Sequence, residues 1–334
     1  MIIKMLLLKI SQDKKKEKDN FGIGLVSADL IMLQTLTIIT VVVYAISIIL
    51  HLLGFSLLTR VRKTDIFGET QRMYLLNLSL TSAIYAGLAI AEEICLNFSE
   101  WRSALFYVTL IMDGFFYTWY IFVMTALTFD RFLTLYLKLK YISVWRKSKT
   151  LTMLFISFTS SGLITLVLYL SHTDVESLLA SMTLYVWPML DFMFLFVAFF
   201  TYGYLIKTFN NKNNVGVIVQ ARIPGRISSS ETPVVLHQQE NNTTPPMLKP
   251  TASFCLKKAR RGFVVPSLLV STFVVCWLIP DLIYFGYELY GKELKHGSIV
   301  DLLYPVGVLS DAIIYILCWK DTRQLLMKLL FCKP

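Results

Sequence analysis

Cysteine and histidine are scarce in this chain, five and four among 334 residues. Cys95, Cys255, Cys276, Cys318 and Cys332 form no C-x-x-C pair, and His51, His172, His237 and His296 are scattered over different segments. A zinc or similar site needs such ligands close together, so no metal centre is expected. Gly22-Ile23-Gly24 has no strand before it and no phosphate-binding helix after it, and no Ser–His–Asp arrangement stands in a usable context. These absences leave no catalytic residue and no cofactor to expect. Charge is scarce as well: 16% of residues are charged and 55% apolar, with a mean hydropathy of +0.60. That balance is wrong for a soluble domain.

What is present is a series of long apolar runs. Windows of about 20 residues with few charges mark membrane helices, and seven occur, at 30–58, 74–94, 104–136, 151–171, 184–206, 263–287 and 299–319. The sequence therefore predicts an all-α integral membrane protein, a seven-transmembrane-helix bundle. No lysine lies inside any run, which removes the attachment point for a retinal Schiff base. The N-terminal MIIKMLLLKI is interrupted by Lys4 and Lys9 and lacks a small-residue cleavage site, so no signal peptide is expected.

Lysine and arginine set the orientation. Of 32 such residues, 23 fall after the first, third and fifth runs or in the C-terminal tail, counting Arg131. Only Arg102, Lys292 and Lys295 fall after the second, fourth and sixth. The asymmetry places the C-terminus in the cytoplasm and the N-terminus outside the plasma membrane, against the pull of six lysines in the N-terminal tail. Cys95 alone then faces outward, which leaves no extracellular disulfide within one chain. The net charge of +10 becomes mostly an inner-leaflet feature, suited to anionic membrane lipids and an acidic intracellular partner. Short juxtamembrane clusters of this kind are no groove for nucleic acid.

The third run organises the rest. Between Ala104 and Tyr136 its only charges are Asp113, Asp130 and Arg131. Asp113 and Arg131 are eighteen positions apart, five whole helical turns, so they share one side at a spacing of roughly 27 Å. Ionisable groups inside a membrane are costly and usually face a bundle interior or cavity, so each is a candidate functional residue. The alternatives are a neighbouring helix that satisfies Asp113 and an interfacial ion pair at Asp130–Arg131.

Asp191 and Asp281 lie in the outer halves of the fifth and sixth runs. Pro188 precedes the first, and Pro280, just before the second, removes a backbone hydrogen bond and is expected to kink the helix. Asn97-Phe98-Ser99 is a glycosylation sequon on the exterior side. Residues 210–256, rich in Asn, Ser, Thr, Pro and Gln, read as a disordered third cytoplasmic loop. In the tail, Trp319, Leu326, Leu329 and Leu330 can share one face, which suits a short amphipathic eighth helix on the inner leaflet. Cys332 beside it is a palmitoylation candidate. The layout is thus an extracellular tail at 1–29, a seven-helix domain at 30–318 and a cytoplasmic helix at 319–334.

Several of these stretches together resemble the class A, rhodopsin-like G-protein-coupled receptors. Phe129-Asp130-Arg131-Phe132, followed by Leu139-Lys140-Tyr141, resembles the family's Asp-Arg-Tyr end of helix 3, with Phe for Tyr. Phe273-Val274-Val275-Cys276-Trp277 resembles its helix 6 core, with Pro280 one residue late. Asp311-Ala312-Ile313-Ile314-Tyr315 resembles the Asn/Asp-Pro-x-x-Tyr motif of helix 7, with Ala312 in place of proline, and Leu76-Asn77-Leu78-Ser79 the start of the helix 2 motif. The departures are Ser82 at the helix 2 acid, His51 where helix 1 has Asn, and Phe106 at the usual helix 3 cysteine.

The resemblance implies a receptor for an extracellular ligand that activates a heterotrimeric G protein. Asp130, Arg131, Phe273, Trp277, Pro280, Asp311 and Tyr315 would form the activation switch and coupling surface. Asp113, matching the counter-ion of amine receptors, would bind a small amine or basic peptide with Phe116, Tyr117 and Trp277, while Asp191 and Asp281 meet further positive groups. For the aromatic residues core packing is the plain alternative. Two other classes stay open: a receptor-like protein without G-protein coupling, and a transporter or channel that uses Asp113, Asp191, Asp281 and Asp311 as a polar pathway. The charge asymmetry makes one prediction directly. An N-terminal epitope tag is stained on intact cells; staining only after permeabilisation contradicts the orientation.

Overall fold

The computed structural model describes residues 23–61, 66–97, 104–137, 141, 147–171, 178, 181–221, 263–289 and 300–331. All of them are helical except Val61, Phe263, Leu302 and Trp319, and no strand occurs among them. Helix α1 is Ile23–Arg60, α2 Ile66–Asn97, α3 Ala104–Leu137 and α4 Lys147–Ser171. Helix α5 opens with a π-helical turn, Met182–Val186, and continues as Trp187–Ala221. Helix α6 comprises Val264–Phe273, the π segment Val274–Leu278 and Ile279–Leu289. Helix α7 is Leu303–Ile313 followed by the π segment Ile314–Cys318, and α8 is Lys320–Phe331.

Six of these helices are long and apolar enough to cross a membrane, which suits a multi-pass membrane protein. The count reaches seven only if α7 and α8, bent by 82° at Trp319, are taken as one broken span. The described part of α7 is short, eleven α-helical residues and five π-helical ones. The start of the seventh apolar run, at 299, lies outside the described residues.

Other boundaries also differ from the sequence reading. Helix α5 continues to Ala221, into the stretch expected to be disordered from 210. No proline stands between Pro188 and Pro224 to stop the backbone ladder, and composition alone does not end a helix. Helix α2 runs through Asn97, so the sequon begins at a helix end. The Asn97 side chain, Cys332 and residues 222–256 lie outside the described residues.

The helices form a closed arrangement in which α1 packs on α2, α2 on α3, α3 on α4 and α5, α6 on α7, and α7 back on α1. Helix α3 is central: 67% of its span is buried inside the protein, against 17% for α4. Hydroxyls on the spans bond to carbonyls four residues back, as in Thr118 to Gly114 O (2.7 Å), Thr128 to Met124 O (2.9 Å) and Ser161 to Ser157 O (2.8 Å). Such groups have no water to turn to in lipid, and the local bond satisfies them. Arg72 closes the end of α1. Its guanidinium donates to the carbonyl of Val61 at 3.1 Å while held bidentate by Glu69 at 3.0 and 2.7 Å, which serves carbonyls a helix end leaves open.

Two of the three π segments have the same cause. Pro188 and Pro280 each stand two residues past the end of one. A proline inside a helix lacks its N–H and collides with the carbonyl four residues back, here Leu184 and Cys276, each in the middle of a π segment. Widening that turn to i→i+5 moves the carbonyl aside, and the N–H of Ile279 bonds to Val274 O accordingly. At Pro280, then, the missing backbone hydrogen bond falls beside a widened turn.

Helices α6 and α7 approach closely at Gly307. A Cβ there would stand 2.8 Å from both Cys276 Cβ and Trp277 Nε1. At Gly114 the clash is with the end of the Met182 side chain, also at 2.8 Å, which can rotate away. Overpacking a rigid contact costs about 1–3 kcal/mol. Gly307→Ala should therefore lower the thermal midpoint of the solubilised protein by several degrees, whereas Gly114→Ala should change it little. Equal effects would contradict this contact.

Candidate functional site

Tyr117, on the central helix, points its hydroxyl between two acids. It lies 3.1 Å from Asp191 Oδ1 on α5 and 3.1 Å from Asp281 Oδ2 on α6. A tyrosine has one hydroxyl proton, so it cannot donate to both carboxylates at once. Tyr304 on α7 donates to the other oxygen of Asp281 at 2.6 Å. The two carboxyls also hydrogen-bond to each other, and Asp191 Oδ2 takes no donor from any other residue. Four helices thus meet at two adjacent carboxyl groups. Asp191 is fully buried and Asp281 nearly so.

Trp277 forms the floor of this cluster. Its ring lies 5.2 Å from that of Tyr117, 5.5 Å from Tyr304, 5.4 Å from Tyr85 on α2 and 5.8 Å from Tyr120, on which it stacks. Its indole nitrogen has no acceptor. Below it, Tyr120 donates to Asp311 Oδ2 on α7 at 2.5 Å, and Asp311 Oδ1 is left without a partner. Phe273 packs edge-on against Phe194 of α5 at 4.7 Å. Tyr315 is buried with its ring 5.7 Å from His51, whose Nε2 contacts Val308 O at 3.0 Å.

Asp113 stands apart from the acid pair. It is buried, Oδ1 has no partner, and its electrostatic neighbours are Glu92 on α2 and the tyrosines Tyr44 and Tyr85. Phe116 also departs from the expected arrangement. Its ring contacts are Phe115 at 5.1 Å and Trp119 at 5.8 Å, away from the Trp277 cluster that Tyr117 joins. A 100° step per residue separates the two rings even though both lie about one turn from Asp113.

At the far end of α3, Arg131 Nη2 and Asp130 Oδ2 form a buried ion pair at 2.6 Å. Tyr141 donates to Asp130 Oδ1 at 2.6 Å, and its hydroxyl is 3.5 Å from that of Thr70 on α2. Burial raises the Tyr141 hydroxyl above the usual tyrosine range, so it stays a donor at neutral pH. Arg131 Nε has no acceptor. Among the described residues, the ion pairs are this one and those of Glu69 with Arg72 and Lys147; none involves Asp113, Asp191, Asp281 or Asp311.

Sequence reasoning named both acids of the pair and Tyr117 for its ring, but not the hydroxyl by which Tyr117 links them, nor Tyr120, which bonds Asp311. The signal was present: Asp113, Tyr117 and Tyr120 follow the i, i+4, i+7 spacing of one helical face. No model of a known protein family matches the chain, and no curated protein matches it. Its site is read from its own residues.

The Arg131 end yields a direct test. Removing the Tyr141 hydroxyl leaves a buried carboxylate oxygen short of one donor, which costs about 1–3 kcal/mol. Tyr141→Phe should lower the thermal midpoint of the purified protein, and Thr70→Val, which removes only the longer contact, should do so less. A midpoint unchanged in Tyr141→Phe would contradict the role given to this hydrogen bond.

Proposed function

We propose that the chain is a rhodopsin-like G-protein-coupled receptor, with seven spans and an extracellular N-terminus, whose ligand is a small amine or a basic peptide. The observation that carries this reading is the division of charge along α3. Around Asp113, Tyr117 and Tyr120 stand four buried acids, Asp113, Asp191, Asp281 and Asp311, with no Lys or Arg paired to them among the described residues. At the opposite end Arg131, the one buried Lys or Arg among the described residues, is paired with Asp130.

A cation supplied from outside is what the acidic end lacks. A buried charge that gains a partner gains more than it would in water, and the faces of Tyr117 and Trp277 suit an ammonium group. Trp277 sits on α6 and stacks on α3, so a ligand that repositions it biases α6 relative to α3. The ligand must bind the state with α6 displaced more tightly than the resting one. In that state Arg131, released from Asp130, would engage the heterotrimeric G protein. Modification at Asn97 and Cys332 belongs to the same reading.

A transporter is the second reading, favoured by one observation: Asp191 and Asp281 are joined through the Tyr117 hydroxyl, and Tyr120 carries a further hydroxyl to Asp311, which would suit a polar pathway. Nucleotide exchange separates the two. The full-length chain is reconstituted in lipid with G protein and screened with cationic ligands. Exchange should rise, and Asp113→Asn should weaken an amine agonist by about tenfold or more, the ~1.4 kcal/mol of one ion pair, at normal surface expression. Cation flux without exchange supports the transporter, and an agonist that is neutral, anionic or indifferent to Asp113→Asn contradicts the amine assignment.

A further inference from the structure

Resting on the amine-receptor reading above, we propose that the ligand carries two positive charges, one for each of two buried anionic stations that the fold keeps apart. The first is Asp113, nine-tenths buried, with Oδ1 unpartnered. It faces α1 and α2, where its neighbours are Tyr44, Tyr85 and Glu92. The second is the Asp191–Asp281 pair between α5 and α6, two buried carboxyls that hydrogen-bond to each other, with Asp191 Oδ2 taking no donor from any other residue.

One charge cannot serve both. Tyr117 lies between them, one helical turn beyond Asp113 on α3, roughly 6 Å along the axis. Its hydroxyl is turned to Asp191 and Asp281 at 3.1 Å each, and its ring is braced against Trp187 and Trp277, both at 5.2 Å. An ammonium that pairs with Asp113 therefore leaves the acid pair with its mutual hydrogen bond, one phenolic proton from Tyr117 and the donation from Tyr304, and with no counter-charge. A metal ion is a poor fit for that vacancy: among the described residues no group of three or more His, Cys, Asp or Glu side chains is placed to hold one. A second ammonium on a short chain fits it, because ammonium brings three donors where the site has acceptors to spare. Tyr85 and Trp277, 5.4 Å apart, offer ring faces between the two stations, along which an apolar spacer can lie.

Linking the two charges makes the second contact intramolecular, so its gain multiplies that of the first. A linear diamine with a five-carbon spacer reaches across one helical turn with slack. Binding of three probes to the full-length wild-type chain in lipid nanodiscs is measured by calorimetry: diaminopentane, pentylamine and aminopentanol. Aminopentanol matches the diamine in length and keeps a donor, but carries one charge. Diaminopentane should bind about tenfold or more tightly than either of the others. Replacing both acids of the pair, Asp191→Asn together with Asp281→Asn, should bring it down to within about threefold of pentylamine. Because pentylamine needs only Asp113, its binding by the double variant reports that it is folded.

Equal affinities for the three probes on the wild-type chain would overturn the two-charge ligand while leaving a one-charge amine receptor standing. A diamine preference that survives both substitutions would overturn the assignment of the second station. Binding of none of the probes at millimolar concentration would sink the proposal outright. The receptor reading itself would then be decided by nucleotide exchange, which does not depend on these probes.

Discussion

An acid buried among apolar helices must find a partner, and this bundle gives most of its buried acids only tyrosines. Asp130 is the exception, held by Arg131 and Tyr141. Asp191, Asp281 and Asp311 receive phenolic hydroxyls from Tyr117, Tyr304 and Tyr120, and Asp113, Asp191 and Asp311 each keep an oxygen with no donor. A neutral hydroxyl satisfies one lone pair and supplies no counter-charge, so a carboxylate formed here has no Lys or Arg to pair with among the described residues. The rest of the architecture depends on this arrangement. It fixes which faces of α3, α5, α6 and α7 turn inward and puts Trp277 at their meeting point.

The same tyrosines connect the helices. Tyr117 touches acids on α5 and α6, and Tyr120 an acid on α7, while both rings pack on Trp277. Helix α6 is adaptable just there, since Pro280 and the π segment Val274–Leu278 replace the regular ladder around the tryptophan. The close approach of Trp277 to Gly307 ties that adaptable turn to α7. A change of charge at the acids thus has a physical route to α6 through packed rings, with no need for a distant signal.

How much of this was legible in the sequence depended on the range of the interaction. The helices were legible because a run of about 20 apolar residues has few other fates. The central place of α3 was legible because charges are rare in it and fall eighteen residues apart. The end of α5 was not, because a change in composition at 210 does not stop a helix where no proline follows until 224. The shared hydroxyl was not legible either, since it joins Tyr117 to acids 74 and 164 residues away. Such contacts come from helix packing, which periodicity constrains only as to face. Phe116 is the counterexample: one residue from Tyr117, it turns to Phe115 and Trp119 instead.

The central claim is that a cation at the acidic end moves α6 at the Arg131 end. Spin labels at Lys149 on α4 and Val264 on α6, both exposed, report that movement in the full-length chain once Cys95, Cys255, Cys318 and Cys332 are replaced. Pulsed electron–electron resonance is recorded with and without a cationic agonist. The account predicts a longer distance population that grows on agonist binding and no longer does so in Asp191→Asn. A bound agonist that leaves the distance distribution unchanged would contradict it.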